Sequence, residues 1–506
     1  MKKFFSNLEG GTMRKLLLLL IVLTLTIFFT SCEDVKTCEE GCDTWQSCNE
    51  DSGLCEALDG KCDNNSDCTD ELVCNSETHL CEKEALECET ACKAWESCNT
   101  ETGICDKVAG KCETSADCTD KEKTFCDETS TCVLPTFCVF GTLDTNTNSC
   151  TPNMAAIKKI GTTGLYPNEM KLYDGFLYIV NSGDNSIQKF DPSTGETILG
   201  DNDAPFIFTG EGSNPWNFAI RNNGTLDEFF VTNLMTQSYY ITDTALETTV
   251  TFADDNAFKS PEGITVTDDN IFITNINSTW DTDLGEMVFE AGFITVTNRT
   301  DNTFSKKLPT TQLNPQKVFT LNNSLYVINS GTTKYDTNYI SNPNSNSGID
   351  IFDIKDLDKT PINVEIPFST KKQNAYVSSY TISDDKSKIY LGSGAAPELY
   401  LFDTATNKMI RNTDNPIIID NFGDTLTNTM LNLTLVDGYI FVINGNNDTL
   451  YVVEPLNFKV VMKINIGSDD TNVEMPQGIV FDKENRVLYI YFSLSRDIIS
   501  IDVNSL

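Results

Sequence analysis

The chain has 506 residues, a formal charge of −38, 19 cysteines and a single histidine. So acidic a surface repels nucleic acid and anionic lipid head groups, which excludes both as electrostatic partners. Every cysteine falls between Cys32 and Cys150, so a cysteine-rich N-terminal part precedes a cysteine-free remainder long enough to bury a large core.

The first element in chain order is an apolar run from Leu16 to Phe29. Arg14 and Lys15 precede it, and the small residues Thr30 and Ser31 lead from it into Cys32. This is the layout of a cleavable secretory signal, too short to favour a permanent span. It resembles a bacterial lipoprotein signal, with Phe29 standing where such signals usually carry Leu. The resemblance implies that residues 1–31 are removed and that the Cys32 sulfur receives a diacylglyceryl group. Two or more acyl chains make a stable membrane anchor. An ordinary signal followed by a coincidental cysteine is the alternative. Residues 32–36 then form a tether, and Glu33-Asp34 resembles the surface-export signals of some bacterial lipoproteins. The implied location is the bacterial cell envelope, at the outer membrane or cell surface.

Residues 37–86 and 87–136 are two copies of one module. Cys38, Cys42, Cys48, Cys55, Cys62 and Cys68 recur fifty positions later as Cys88, Cys92, Cys98, Cys105, Cys112 and Cys118. Cys74 and Cys81 correspond to Cys126 and Cys132, and Trp45 to Trp95. Cys138 and Cys150 belong to a leftover half-module, so that residues 137–154 read as half-module and linker. Between the cysteines the segment is mostly Asp, Glu, Thr, Ser, Asn and Lys. So little apolar content cannot build a core, and disulfides must substitute for one. If lipid takes Cys32, the other 18 cysteines can all pair in an oxidising compartment; spacing does not fix which with which. Neither CxxC pairs nor a CxxCH string occurs, which argues against zinc and haem. His79 is expected to be inert and the two tryptophans to be module cores. The four-cysteine halves are similar to modules of cysteine-rich bacterial surface proteins and, loosely, to the Dickkopf N-terminal domain.

From residue 155 to 506 short strands with period-2 alternation alternate with Gly, Asn, Asp and Pro turns, which reads as all-β. A strand ending in Asn recurs at Asn181, Asn233, Asn275, Asn329 and Asn444, with Ser393 and Ser493 in two further slots. The lead-in to each first strand carries a second marker, at Pro167, Pro215, Pro261, Pro315, Asn374, Asn428 and Pro476. Seven markers at this spacing predict a seven-bladed β-propeller. The phrase "LYIVNSGDNSIQKFD" resembles the YVTN propeller repeats. The longest insertions are expected at Thr279–Glu290 and Gly331–Ser347. The seventh blade lacks a fourth strand of its own, so Ala155–Ile160 is expected to supply its outer strand and close the ring.

Strands alternate direction within a blade, so the start of strand one and the end of strand two share a face. That face is expected to carry Asn168, Glu169, Trp216, Glu262, Gln316, Tyr376 and Gln477 together with Asn181, Asn233, Asn275, Asn329 and Asn444. Carboxamides, carboxylates and aromatics around a channel mouth suit a glycan, a peptide or Ca²⁺. Asn also terminates strands by bonding its own turn, and that role competes for the asparagine set. The propeller region has no His and no Cys, which excludes histidine-based lyase chemistry and cysteine nucleophiles there. The expectation is a non-enzymatic, lipid-anchored binding or adhesion protein with a protein or glycan ligand and no obligatory cofactor. A periplasm-facing scaffold and a calcium-dependent hydrolase or lactonase centred on Glu262 are the alternatives.

Overall fold

The computed structural model describes residues 41–506 except 44, 50–53, 70–71, 84–86, 89–90, 115–116, 119–124, 127–129, 134–137, 145–148, 247–248, 255, 284, 336–340, 368–374, 421–430 and 468–473. The signal, Cys32 with its tether, Cys38, Asn374 and Asn428 therefore lie outside the described residues. Two units are present, Met1–Pro135 and Thr136–Leu506.

In the first unit each half-module is a short antiparallel hairpin clamped by disulfides. Cys88 pairs with Cys98 and Cys92 with Cys105, then Cys112 with Cys126 and Cys118 with Cys132. The first module repeats the order with Cys42–Cys55, Cys62–Cys74 and Cys68–Cys81, and Cys48 is disulfide-bonded too. The rule is first to third and second to fourth within a half. Each bridge contributes about 2–4 kcal/mol. The halves are braced by aromatic contacts. Trp45 stacks on His79 with ring centroids 4.2 Å apart, and His79 Nδ1 lies 3.0 Å from the Cys62 carbonyl oxygen. The one histidine thus has a structural post. Trp95 is buried beneath the ammonium groups of Lys93 and Lys107.

The second unit is a seven-bladed propeller. Blade one runs Pro167–Tyr173, Phe176–Asn181, Ser186–Asp191, Glu196–Ile198, and blades two to six repeat this antiparallel order. In blades three and four a hairpin is inserted between strands two and three, Ser278–Asp281 with Glu286–Phe289 and Thr332–Tyr335 with Ser341–Ser345, where the sequence placed its longest insertions. The ring closes as expected: Ile157–Thr162 pairs with Asp497–Asp502 and completes blade seven. The closing strand starts two residues later than expected and continues to Thr162.

Period-2 patterning explains the core. Tyr178 and Val180 face blade two, whereas Leu177 and Ile179 on the same strand face blade seven. A central strand is therefore apolar on both faces. One apolar cluster fills each junction between neighbouring blades, seven in all. The junction of blades six and seven also takes in Phe140, edge-on to Tyr439 and Phe441 at 5.4 and 5.1 Å, and the Cys138–Cys150 bridge. The leftover half-module therefore belongs to the propeller unit, because Phe140 finds apolar partners there.

Candidate functional site

Six of the seven first strands begin with an irregularity that sets the site, and that of blade six pairs in unbroken register. Register shifts between Pro167 and Glu169, Pro215 and Phe218, Pro261 and Ile264, Pro315 and Lys317, Val377 and Ser379, and Pro476 and Gly478. The first residue in each bulge, which Asn217 and Gly263 follow in blades two and three, is left unpaired in the ladder and its side chain is re-aimed. Those residues are Asn168, Trp216, Glu262, Gln316, Ser378 and Gln477, and all six line a single cavity of about 190 Å³ at the propeller axis. Glu169, Lys317, Tyr376, Gly394, Leu431 and Asn432 complete its wall. All seven blades contribute.

Hydrogen bonds between blades hold these positions. Thr232 Oγ1 donates to the Glu262 carbonyl at 2.6 Å, Ser330 Oγ to that of Val377 at 2.6 Å, and Ser379 Oγ to that of Leu431 at 2.6 Å. Asn432 Nδ2 donates to the Gln477 carbonyl at 2.6 Å, and Ser182 Oγ donates to the Pro215 carbonyl. At Gly263 the next blade comes so near that a Cβ would lie 2.6 Å from the Gln316 carbonyl oxygen.

A charged network crosses the axis beside the cavity. Lys317 Nζ of blade four donates to Glu169 Oε2 of blade one at 3.0 Å, and Asn217 Nδ2 donates to the same oxygen at 3.1 Å. Lys171 Nζ lies 3.3 Å from Asn217 Oδ1, donates to the Phe218 carbonyl and sits 4.8 Å over the Phe218 ring. Burial alone would raise the Glu169 pKa, but Lys317 and Lys171 outweigh it and hold the group below its ordinary value. Burial lowers the Lys171 pKa, against the pull of Glu169.

Glu262 is different. It is 3 % exposed, and its Oε2 has no partner. Burial pushes its pKa up to about 8, although Lys317 pulls the other way, so it is a neutral acid at pH 7. The unfolded chain ionises this group near pH 4.5, so between pH 4.5 and 8 the native state binds the extra proton. Stability therefore falls as pH rises through that window, by up to about 1.4 kcal/mol per unit. Glu262→Gln has no such slope. Denaturant unfolding from pH 5 to 8 is expected to show the variant gaining on the parent at about that rate. A difference independent of pH would show that Glu262 is ionised in the fold.

The seven side chains expected on this face other than the asparagine set, Asn168, Glu169, Trp216, Glu262, Gln316, Tyr376 and Gln477, lie around this one cavity. Asn181, Asn233, Asn275, Asn329 and Asn444 do not line it. Each is at most 2 % exposed. Asn181 Nδ2 donates to Gln188, Asn233 Nδ2 to Ser238, Asn275 Nδ2 to Thr295 and Asn329 Nδ2 to Asp350, while Asn444 Oδ1 accepts from the Asn446 N–H. They fasten strand two to strand three or to its turn, which is the strand-ending role.

Lys317, Ser378 and Asn432 were not among the expected residues. In blades five and six no proline marks the first strand, and Val377 and Leu431 occupy the proline's place, opposite Ser393 and Asn444. Counting back along the hairpin from Asn444 would have reached Asn432. Tyr376 arrives from one residue earlier, with φ at +36°, a left-handed backbone uncommon for a bulky side chain.

Among the described residues, the triples of His, Cys, Asp or Glu close enough to share a metal ion are all cysteines already in disulfides. No protein-family model and no curated protein matches the chain. Among solved structures it is similar to a streptogramin B lyase, at 13% identity and a TM-score of 0.50, over 69% of this chain and 97% of that one. It is also similar to virginiamycin B lyase from Staphylococcus aureus, at 12% identity and a TM-score of 0.49, over 68% and 98% of the two chains. A third is Kuenenia stuttgartiensis hydrazine synthase, at 12% and 0.49, over 67% and 96%. At 13% identity the first of these likenesses shows a shared fold alone.

Proposed function

We propose that this chain is an exported, lipid-anchored protein of the bacterial cell envelope whose propeller binds a glycan or protein ligand at the axial cavity. The observation that carries the reading is the convergence of side chains from all seven blades on one cavity, with the buried Glu262 carboxyl left unpartnered in its wall. A fold can be stable without such a site, since an unpaired buried polar group costs about 1–3 kcal/mol. The same face exposes Tyr166, Met235, Trp280 and Leu494. All four sit before a first strand or between strands two and three, so apolar side chains stand among the turns around the cavity, as suits a partner larger than the cavity itself. The secretory signal and the lipoprotein-like Cys32 support the location, and the disulfide-clamped modules suit an oxidising compartment.

Binding is favoured over catalysis because, among the described residues, the cavity wall shows no nucleophile with an adjacent base. Calcium is disfavoured by the cavity's own cations, since Lys317 already neutralises Glu169 and Glu262 is protonated at neutral pH. Protease treatment of intact cells is expected to release peptides from residues 155–506. Protection until the envelope is permeabilised would instead favour the periplasmic scaffold.

A further inference from the structure

We propose that the axial cavity takes one uncharged pyranose ring of a glycan, with Trp216 and Tyr376 against its apolar face and Glu262 among the groups meeting its hydroxyls. The inference rests on the cavity's being the ligand site and names the occupant.

Size sets the first limit. Pockets for drug-sized ligands run to about 300–1,000 Å³, and this one holds about 190 Å³. That is room for one ring, with the remainder of any chain outside. Chemistry sets the second. A pyranose has a C–H face that is apolar and a rim of hydroxyls, each both donor and acceptor. Aromatic side chains cover the first, and carboxamides, which carry a donor and an acceptor on one group, match the second. The wall supplies both kinds, from Trp216 and Tyr376 and from Asn168, Gln316, Asn432 and Gln477.

Charge sets the third. Glu169 is matched by Lys317, with Lys171 on its other flank. A cationic ligand would meet the Lys317 ammonium group, and an anionic one would meet Glu169 and ionising Glu262. Hydroxyl groups meet neither penalty. As a neutral acid Glu262 offers one O–H and one carbonyl, and the residue stands in the cavity wall, with its Oε2 closed off from solvent and without a partner. The titratable groups around it are Lys317 of blade four, Glu169 and Lys171 of blade one and, beside Glu169, Tyr380 of blade five and Tyr491 of blade seven, whose hydroxyls burial keeps protonated. From blade two the uncharged Trp216 lines the cavity and Thr232 donates to the Glu262 carbonyl. Ionisation of Glu262 removes the donor, so affinity is expected to be about tenfold weaker at pH 9 than at pH 7, the factor by which the acid form is depleted.

The test uses the exported chain with its disulfides intact. It is titrated, by calorimetry and ligand-observed NMR, with three sets of monosaccharides: neutral hexoses, deoxyhexoses and N-acetylhexosamines; hexosamines with a free amine; and uronic acids. At least one neutral sugar is expected to bind, to lose binding in Trp216→Ala and to bind about tenfold more weakly at pH 9. In Glu262→Gln, which keeps a donor and an acceptor, binding is expected to persist with no change between pH 7 and 9. Preference for a free-amine sugar that strengthens above pH 8 would overturn the neutral-ring class. So would a sugar whose affinity ignores both substitutions. If no sugar of any set binds, the proposal fails. A fragment screen then judges the cavity separately: hits lost in Trp216→Ala would keep it as a site for another class, and no hits would remove it.

Discussion

Removing residues 497–506 is expected to abolish the folded propeller, and removing only residues 504–506 to lower its stability by about 2–4 kcal/mol. The longer deletion takes away the third strand of blade seven, which pairs on one side with Val487–Phe492 and on the other with Ile157–Thr162. Both neighbours become open edges with unpaired N–H and C=O groups. Ile498, Ile499, Ile501, Val503 and Leu506, all buried in the two junctions of blade seven or against them, leave with it. At about 1.5–3 kcal/mol per buried aliphatic side chain, that loss rivals the whole stability of an ordinary domain. The shorter deletion removes buried Leu506 and two hydrogen bonds that Asn153 makes to the carbonyls of Ser505 and Leu506. As a control, replacing residues 278–289 by a short turn removes more chain but none of the closing pairs, and is expected to leave cooperative unfolding in place. Urea titration followed by far-ultraviolet circular dichroism reads all three. Equal midpoints for the 497–506 deletion and the control would show that closure does not hold the ring.

Glu169→Gln is expected to destabilise the propeller by about 3–5 kcal/mol, and Lys317→Met by clearly less. Glu169 holds two ammonium groups, Lys317 at 3.0 Å and Lys171 through Coulomb attraction. Without it those two cations face one another near the axis with only Asn217 between their remaining contacts. Without Lys317, Glu169 still has Lys171 and the Asn217 amide. The double variant Glu169→Gln with Lys317→Met restores a tolerable charge count, so its cost is expected to be less than the sum of the singles. Glu169 is held below its ordinary pKa in the fold, so its contribution is present above about pH 4.5 and is lost as pH falls through the lower folded value. Unfolding midpoints of the three variants at pH 7 and pH 4 test this. Additive single costs, or a larger cost for Lys317→Met, would show that the axial charges act independently.

Much of the propeller was legible because its information is local and repeated. Period-2 strands buried on both faces, a proline before most first strands and an Asn at the end of most second strands count seven blades without reference to any contact. The missing fourth strand of the last blade, with an unclaimed strand at Ala155–Ile160, implied the closure that Ile157–Thr162 makes. The same repeat placed Asn168, Trp216, Glu262 and Gln316 on one face, since each follows the marker by one residue. What the repeat does not contain, it could not reveal. Blades five and six lack the proline, so Ser378 and Asn432 were missed.

The sequence by itself thus determined the blade count, the closing strand, the shared face and the division into a cysteine-rich part and a propeller. Only the tertiary structure decided the rest, because the rest depends on groups that meet across the ring or through space. Glu169 and Lys317 lie 148 positions apart and become partners only when blades one and four curve round one axis. The disulfide order follows from hairpins that set Cys48 opposite Cys55 and Cys74 opposite Cys81, leaving Cys55, Cys74 and Cys81 to bond cysteines of the segment before each hairpin. Phe140 joins the propeller because a gap between blades six and seven accepts an aromatic ring. The asparagines were drawn into the sheet, and Glu262 was left without a partner, by the same cause: burial forces each polar group to find a neighbour or go without, and where the neighbours fall is settled by packing alone.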